Sequence, residues 1–321
     1  MTQKINLTSN DWERLRFLRQ RFLNDASENY WEQPRDLELY DLIYAQRIAW
    51  KWNAVLTNLS DAGWKPTSEQ IIDWGCGTGI ASRTTSPWSG IKKVGLIDQS
   101  ALSINFTKKQ LDKEGIETIS WPQDEPLEEK SLFLISHVLG ELNEKELLHL
   151  ATIAATAHEI IWVEPGSHEL SRKLSTMREI FINAGHHLIA PCVHKHPCPM
   201  LQKKQEHDWC HFFAKPPIEI FQSSFWHKAS RQLGIDLRSL PYSYLAFSRV
   251  ESPSWPSHAE RLIGHPRKLK AHCKLLCCGS DGLVERTLQR RDHPELFRKM
   301  IRNKEEGIVI FGQQAEYKFK L

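Results

Sequence analysis

The stretch IIDWGCGTG, residues 71–79, narrows the possible folds more than any other. Two β-branched apolar residues lead through Asp73 into three glycines spaced G-x-G-x-G, and the helical-type stretch ASRTTS follows. Glycines let the backbone turn sharply and approach a ligand with no Cβ in the way. The helix start beyond them offers free N–H groups to a carboxylate or phosphate. About twenty residues on, the apolar run Val94-Gly95-Leu96-Ile97 ends in Asp98, where a carboxylate can accept both hydroxyls of a ribose. Further apolar runs at Ser131 to Val138 (SLFLISHV) and Glu159 to Val163 (EIIWV) alternate with SALSINFTKKQLDKEG and NEKELLHLATIAATA, which are of helical type. Alternation at this spacing predicts an α/β fold of parallel β-α-β units, with the sheet resuming at Tyr242 to Val250.

Outside this core the texture differs. Apolar positions Leu39, Leu42, Ile43, Ile48, Ala49 and Trp52 recur at helical spacing, so residues 10–62 read as helical until Gly63. Beyond SPSWPSH, the segment KLKAHCKLLCC-GSDG-LVERTLQRR predicts two strands around a glycine turn. The expected organisation is an N-terminal helical region (1–66), a core (67–252) carrying a Cys-rich segment (190–213), and a basic β-rich C-terminal appendage (253–321). A composition of 40% hydrophobic and 25% charged residues excludes wholesale disorder. The polar N-terminus lacks a signal-peptide core and no window is long enough to cross a bilayer, which predicts a cytoplasmic protein with no membrane partner. Residues 261–321 hold 14 Lys/Arg against 7 Asp/Glu, whereas the first 260 hold 28 against 32. A basic end on a slightly acidic body is a footprint of nucleic-acid contact.

The third glycine of the turn comes one residue earlier than in the dinucleotide fingerprint G-x-G-x-x-G. The turn instead resembles motif I of the class I S-adenosylmethionine (SAM) methyltransferases, which implies a Rossmann-like core. In that comparison Gly75, Gly77 and Gly79 form the cofactor turn, Asp73 faces the methionine amino group, Asp98 the ribose, and Ser136 joins the cofactor-facing set. No Asn/Asp-Pro-Pro-Tyr tetrapeptide, the mark of amino-methylating enzymes, is found; its position holds SHVLGEL, residues 136–142. His137 reads as a polar residue at a strand end, although an imidazole there has the pKa range of a general base. Cys76 reads as a small packing residue within the turn.

A different chemistry is written at residues 191–213, where three cysteines, four histidines and three prolines share one polar stretch. In a reducing setting seven cysteines suggest metal ligation before disulfides. Cys192, Cys198 and Cys210 are spaced C-x5-C-x11-C, and Pro191, Pro197 and Pro199 exclude a regular helix and favour fixed turns. A fourth ligand is available from Cys273, Cys277, Cys278, His194, His196, His207 or His211. Four thiolates suit an iron–sulfur cluster or zinc, and mixed Cys/His ligation favours zinc.

Taken together, DWGCGTG, SHVLGEL, WVEPGS, APCVHKHPCPM, DWCHF, SYLAFSR and LCCGSDG run in the order that resembles the bacterial relatives of a mitochondrial family. That family is the small-ribosomal-subunit assembly methyltransferase-like group, methyltransferase-like protein seventeen and its relatives. The resemblance covers roughly residues 70–285. It implies a SAM-methyltransferase fold, association with the small ribosomal subunit and its rRNA as a monomer, and a [4Fe-4S] cluster, with zinc as the alternative. Carried over residue by residue, it names Cys192, Cys198 and Cys210 as ligands, with Cys278 as the fourth, four residues before the turn glycine. Trp74, Thr78 and the long interval from Cys198 to Cys210 depart from the family pattern. The expected role is an rRNA-binding assembly or translation factor; the alternative is an active methyltransferase of small-subunit rRNA or of a ribosomal protein.

Overall fold

The computed structural model describes residues 6–24, 31–122, 125–127, 130–251, 255–303, 308–311 and 317–320. Parts of the predicted C-terminal appendage and its basic charge (252–254, 304–307, 312–316 and 321) therefore lie outside the described residues. The chain divides into two compact units. The first comprises Met1–Leu56, Thr67–Ile160 and Ala214–Leu240, and the second Thr57–Pro66, Ile161–Phe213 and Pro241–Leu321.

The first unit opens with helices α1 (Ser9–Asn24) and α2 (Pro34–Tyr40), a π-helical turn over Asp41–Ala45, and α3 (Gln46–Asp61). Asp36, fully buried, accepts both Nε and Nη2 of Arg14, at 2.6 and 2.7 Å, which ties α1 to α2. Strands β1 (Gln70–Trp74), β2 (Lys93–Ile97), β3 (Glu117–Ser120) and β4 (Ser131–Ser136) line up in the order β3-β2-β1-β4, all neighbours parallel. Ile71 and Ile72 of β1 are both fully buried, as a central parallel strand covered on both faces requires. Between the strands run α4 (Ile80–Ser89) and α5 (Ala101–Lys113), with α6 (Glu144–Ala154) after β4 and α8 (Ser224–Leu233) returning late in the chain. The helix starts follow from local chemistry. The Ser100 hydroxyl accepts the Ser103 amide at α5, and Asn143 with Glu146 makes a capping box at α6. The strand order reverses between β1 and β4, and the carboxyl ends of strands at such a point are where open α/β sheets bind ligands.

In the second unit β5 (Glu159–Pro165) leads into α7 (His168–Asn183), then β6 (His187–Ala190), β7 (Phe212–Ala214) and β8 (Leu240–Ser248). Strand β8 lies between β5 and β6, antiparallel to β6, with β7 also paired to β8. The fold is thus α/β with parallel and antiparallel strand pairs. A separate antiparallel sheet follows, in the order β11-β10-β9-β12-β13: β9 (Ala259–Lys268), β10 (His272–Gly279), β11 (Gly282–Gln289), β12 (Ile308–Phe311) and β13 (Tyr317–Lys320). The predicted hairpin is β10–β11, closing where Gly279 pairs with Gly282. One face of this sheet buries Leu262, Cys273, Leu275, Cys277 and Leu288 against Phe297 and Met300 of α9 (Pro294–Asn303). Among the described residues no helix is long and apolar enough to cross a membrane.

Candidate functional sites

At the carboxyl end of β1 the glycines take φ of +66° (Gly75), +53° (Gly77) and +71° (Gly79), conformations that side chains resist. The turn is stitched to β2 by the amides of Gly75 and Cys76, which donate to the Ile97 carbonyl at 2.8 and 3.1 Å. A Cβ on Gly79 would lie 2.3 Å from Thr107 Cγ2, so this glycine lets α5 close on the turn. A Cβ on Gly77 would meet nothing nearer than the Gly75 carbonyl at 4.0 Å, so the space in front of Gly77 is open. The two closest residues to that space are fixed by the fold. Asp98 accepts the Gly77 amide at one oxygen (2.9 Å) and the Ser100 amide at the other (2.8 Å). Asp73, 1% exposed, accepts the Ser82 amide at 3.2 Å.

The charges at this site are unusual. Burial pushes the Asp73 carboxyl up to about 7, against the hydrogen bonds from Ser82 and with a further contribution from Asp98. Asp98 is also raised by burial, opposed by its two backbone donors. A desolvated carboxylate of this kind is stabilised by a cation placed beside it. The Thr78 hydroxyl, in a residue 2% exposed, makes no hydrogen bond in the ligand-free chain. An open cradle at Gly77, an orphaned hydroxyl and two carboxylates fit a cationic ligand bearing a ribose, as SAM does. Cys76 is buried and its thiol is pushed well above its ordinary range, by burial first and then by Asp98 and Asp73, which suits packing and not nucleophilic attack.

Across the switch point, Ser136 Oγ accepts Trp52 Nε1 at 2.9 Å. His137 follows with φ +58°, the only non-glycine residue at positive φ among the described residues. Its Nδ1 lies 3.3 Å from Ser136 Oγ and its Nε2 3.2 Å from Lys51 Nζ. Burial, then Lys51 and Arg47, lowers its pKa well below the usual imidazole value, so the ring is neutral and accepts from the Lys51 ammonium at Nε2. With both nitrogens engaged, His137 positions Lys51 and Ser136. Sequence reading took it for an ordinary strand-end residue; the strained backbone is the feature it lacked.

The cysteines occupy the second unit. Cys192 follows β6, Cys198 caps a 3-10 turn over Pro199–Leu201, and Cys210 precedes β7. Cys278 lies on β10, opposite Arg261 of β9. Alternation separates the neighbouring pair: Cys277 sits in the apolar face with Cys273 and Leu275, and Cys278 points to the other face. All seven cysteines are free thiols. Among the described residues no group of three or more His, Cys, Asp or Glu is gathered closely enough to hold a metal ion as it stands. The four thiols are nonetheless within electrostatic reach of one another. Cys210 is raised well above its ordinary range by burial, and further by Cys192, Cys198 and Cys278. Burial raises Cys198 to about 11 with Cys192 adding, and it raises Cys278 strongly with Cys192 and Cys198 adding. Four mutually facing thiols are a donor set that suits a tetrathiolate metal centre.

Helix α7 holds both intervals between the first three cysteines. Arg178 Nη2 donates to the carbonyls of His194 (3.0 Å) and His196 (2.9 Å), and the adjacent Glu179 accepts the Cys198 amide at 3.1 Å. One turn and a half earlier, Arg172 Nη1 donates to the carbonyls of Met200, Gln205 and Asp208, at 2.5, 3.0 and 3.0 Å. The long Cys198–Cys210 interval is therefore folded onto a single guanidinium. His194 Nε2 stands 3.4 Å from Cys278 Sγ. None of these arginines was singled out from the sequence, because backbone carbonyl acceptors leave no residue signature.

A family model described as mitochondrial small ribosomal subunit Rsm22 matches residues 42–307. No curated protein matches the chain. Among solved structures the chain is similar to a SAM-dependent methyltransferase from Aquifex aeolicus, at 18% identity over 49% of this chain and 89% of that one, with a TM-score of 0.37. It is also similar to human N-acetylserotonin methyltransferase in complex with SAM, at 13% identity over 75% and 67%, with a TM-score of 0.40.

Proposed function

Because the chain belongs to the mitochondrial small ribosomal subunit Rsm22 family, we propose that it is a SAM-dependent methyltransferase acting on the small ribosomal subunit, on its rRNA or on one of its proteins. The observation that carries the cofactor assignment is the buried Asp73 carboxylate, raised to about 7, beside the open space at Gly77. When bound, SAM supplies an electrophilic methyl group on a sulfonium sulfur. Asp73 would hold its amino group, and Asp98, oriented by the Gly77 and Ser100 amides, has lone pairs left for the ribose hydroxyls. Ser136 and the neutral His137 stand at the end of β4, where they would fix the far wall of the site. The excess of Lys and Arg after residue 260 supports an rRNA contact. Calorimetric titration with SAM, followed by transfer of tritium from labelled SAM to small subunits, tests this reading.

A second observation favours a metal-bearing role for the second unit. Cys192, Cys198, Cys210 and Cys278 face one another on segments held by α7 and β10, and we assign them as the ligands of a [4Fe-4S] cluster, with zinc as the alternative. In that arrangement the centre would join the cysteine loop to the β10–β11 hairpin, and metal binding would contribute directly to folding of the unit. It would fix the orientation of the basic side chains on that sheet toward rRNA phosphates, a scaffold use compatible with methyl transfer or independent of it. Anaerobically purified protein is expected to be brown and to contain iron and sulfide. Colourless protein with stoichiometric zinc removes the cluster and keeps the site.

A further inference from the structure

Four thiolates around a metal centre carry net negative charge, and burying such charge is costly unless positive groups lie beside it. Two buried guanidiniums stand where that charge would develop. Arg178, 1% exposed, reaches the Cys192–Cys198 loop from α7 through the carbonyls of His194 and His196. Arg261, 4% exposed, is the cross-strand partner of Cys278 in the β9–β10 register, so the two side chains share a face of the sheet. Its guanidinium also lies 4.8 Å from the centre of the Phe212 ring, two residues beyond Cys210. The two arginines thus approach the thiols from two different elements.

We propose that Arg178 and Arg261 are the charge-compensating positioning residues of the thiol cluster, holding Cys192, Cys198, Cys210 and Cys278 ready to bind as thiolates. The inference rests on the metal-binding reading above. As each metal–sulfur bond forms, the S–H proton leaves to solvent, and the positive field of the arginines favours that loss. The balance of influences on the thiols agrees. Burial dominates and raises all three of Cys198, Cys210 and Cys278, the other thiols add to it, and Arg178 opposes the rise at Cys198 and Cys278 while Arg261 opposes it at Cys210. Glu179 also pairs with Arg178, and it ties that guanidinium to the Cys198 amide without removing it from the loop.

The test uses the full chain. Metal-free protein is titrated with zinc against a competing chromophoric chelator, and separately reconstituted with ferrous iron and sulfide under anaerobic conditions for potentiometry. Arg178→Met and Arg261→Met are each expected to weaken zinc binding roughly 10- to 100-fold, the range typical for loss of outer-shell partners. Both should also move the reduction potential of the reconstituted centre to more negative values, a change that a purely structural role would not produce. Arg178→Lys keeps the charge, loses the planar fork, and should recover most of the affinity. Arg267→Met, an exposed position on the same strand β9, should match the wild type. Folded Met variants with wild-type affinity and potential overturn the inference while the metal reading stands. Should a Met variant fail to fold, the Lys variant decides. Affinity retained supports charge compensation, and affinity lost in a natively folded Lys variant overturns it. A wild-type chain that takes up neither zinc nor iron overturns the metal reading, and the inference with it.

Discussion

Asp73 and Asp98 do different work from similar burial. Asp98 is oriented by two backbone amides, so truncating it removes an acceptor already aimed at a ribose. Asp98→Ala is expected to weaken SAM binding by about tenfold or more, read by calorimetry, since hydrogen bonds to charged groups contribute roughly 1.5–3 kcal/mol. Unchanged affinity removes Asp98 from the site. Asp73 adds a pH dependence. Its folded pKa is raised from 3.8 to about 7, so the stability contributed by its neutral form is fully present below about 4 and is lost as pH rises through about 7. Ligand-free protein should therefore lose stability over that window, and a bound cation should restore it, making SAM binding tighten as pH rises toward 7. In Asp73→Asn both effects should vanish; a wild-type pH profile in that variant contradicts the assignment. Gly79→Ala tests the turn itself. A methyl 2.3 Å from Thr107 Cγ2, at φ +71°, should destabilise the first unit by about 1–3 kcal/mol in chemical denaturation.

At the level of elements, the β10–β11 hairpin carries a direct test. Cys278→Ser should release metal and raise the protease sensitivity of residues 261–303, whereas Cys273→Ser, in the apolar face with Leu275 and Leu288, should keep the metal. Retained iron in Cys278→Ser alongside loss in Cys277→Ser would refute the choice of Cys278. Elements also differ in how far the sequence announces them. The β1 turn was legible because three glycines at forced φ and a strand-ending Asp98 leave few alternatives. The hairpin was legible from its glycine turn. Strand β9 was not, since Gly264 (φ +63°) and Pro266 interrupt it, and both residues are usually taken as strand breakers. Strands β3, β6 and β7 are four, four and three residues long, too short for a period-2 signal. The helical reading of 10–62 ran through a π-helical turn at Asp41–Ala45, which has no compositional mark. The role of α7 in folding the cysteine loops depends on Arg172 and Arg178 meeting carbonyls, and became visible only with coordinates.

For the whole molecule, the first unit carries the carboxylates and glycines suited to SAM, and the second carries the four thiols and much of the basic charge. Family membership supplies the small ribosomal subunit as the setting in which these chemistries operate. The fold alone leaves open whether the cofactor is consumed or merely bound, because one architecture hosts many functions. Methyl transfer is the claim on which the rest depends. The direct measurement is incorporation of tritium from labelled SAM into isolated small subunits, with wild-type protein and Asp98→Ala side by side. The account predicts label in rRNA or a ribosomal protein with the wild type and a strong reduction with Asp98→Ala. Wild-type protein that binds SAM in the calorimeter yet leaves the small subunit unlabelled would contradict it.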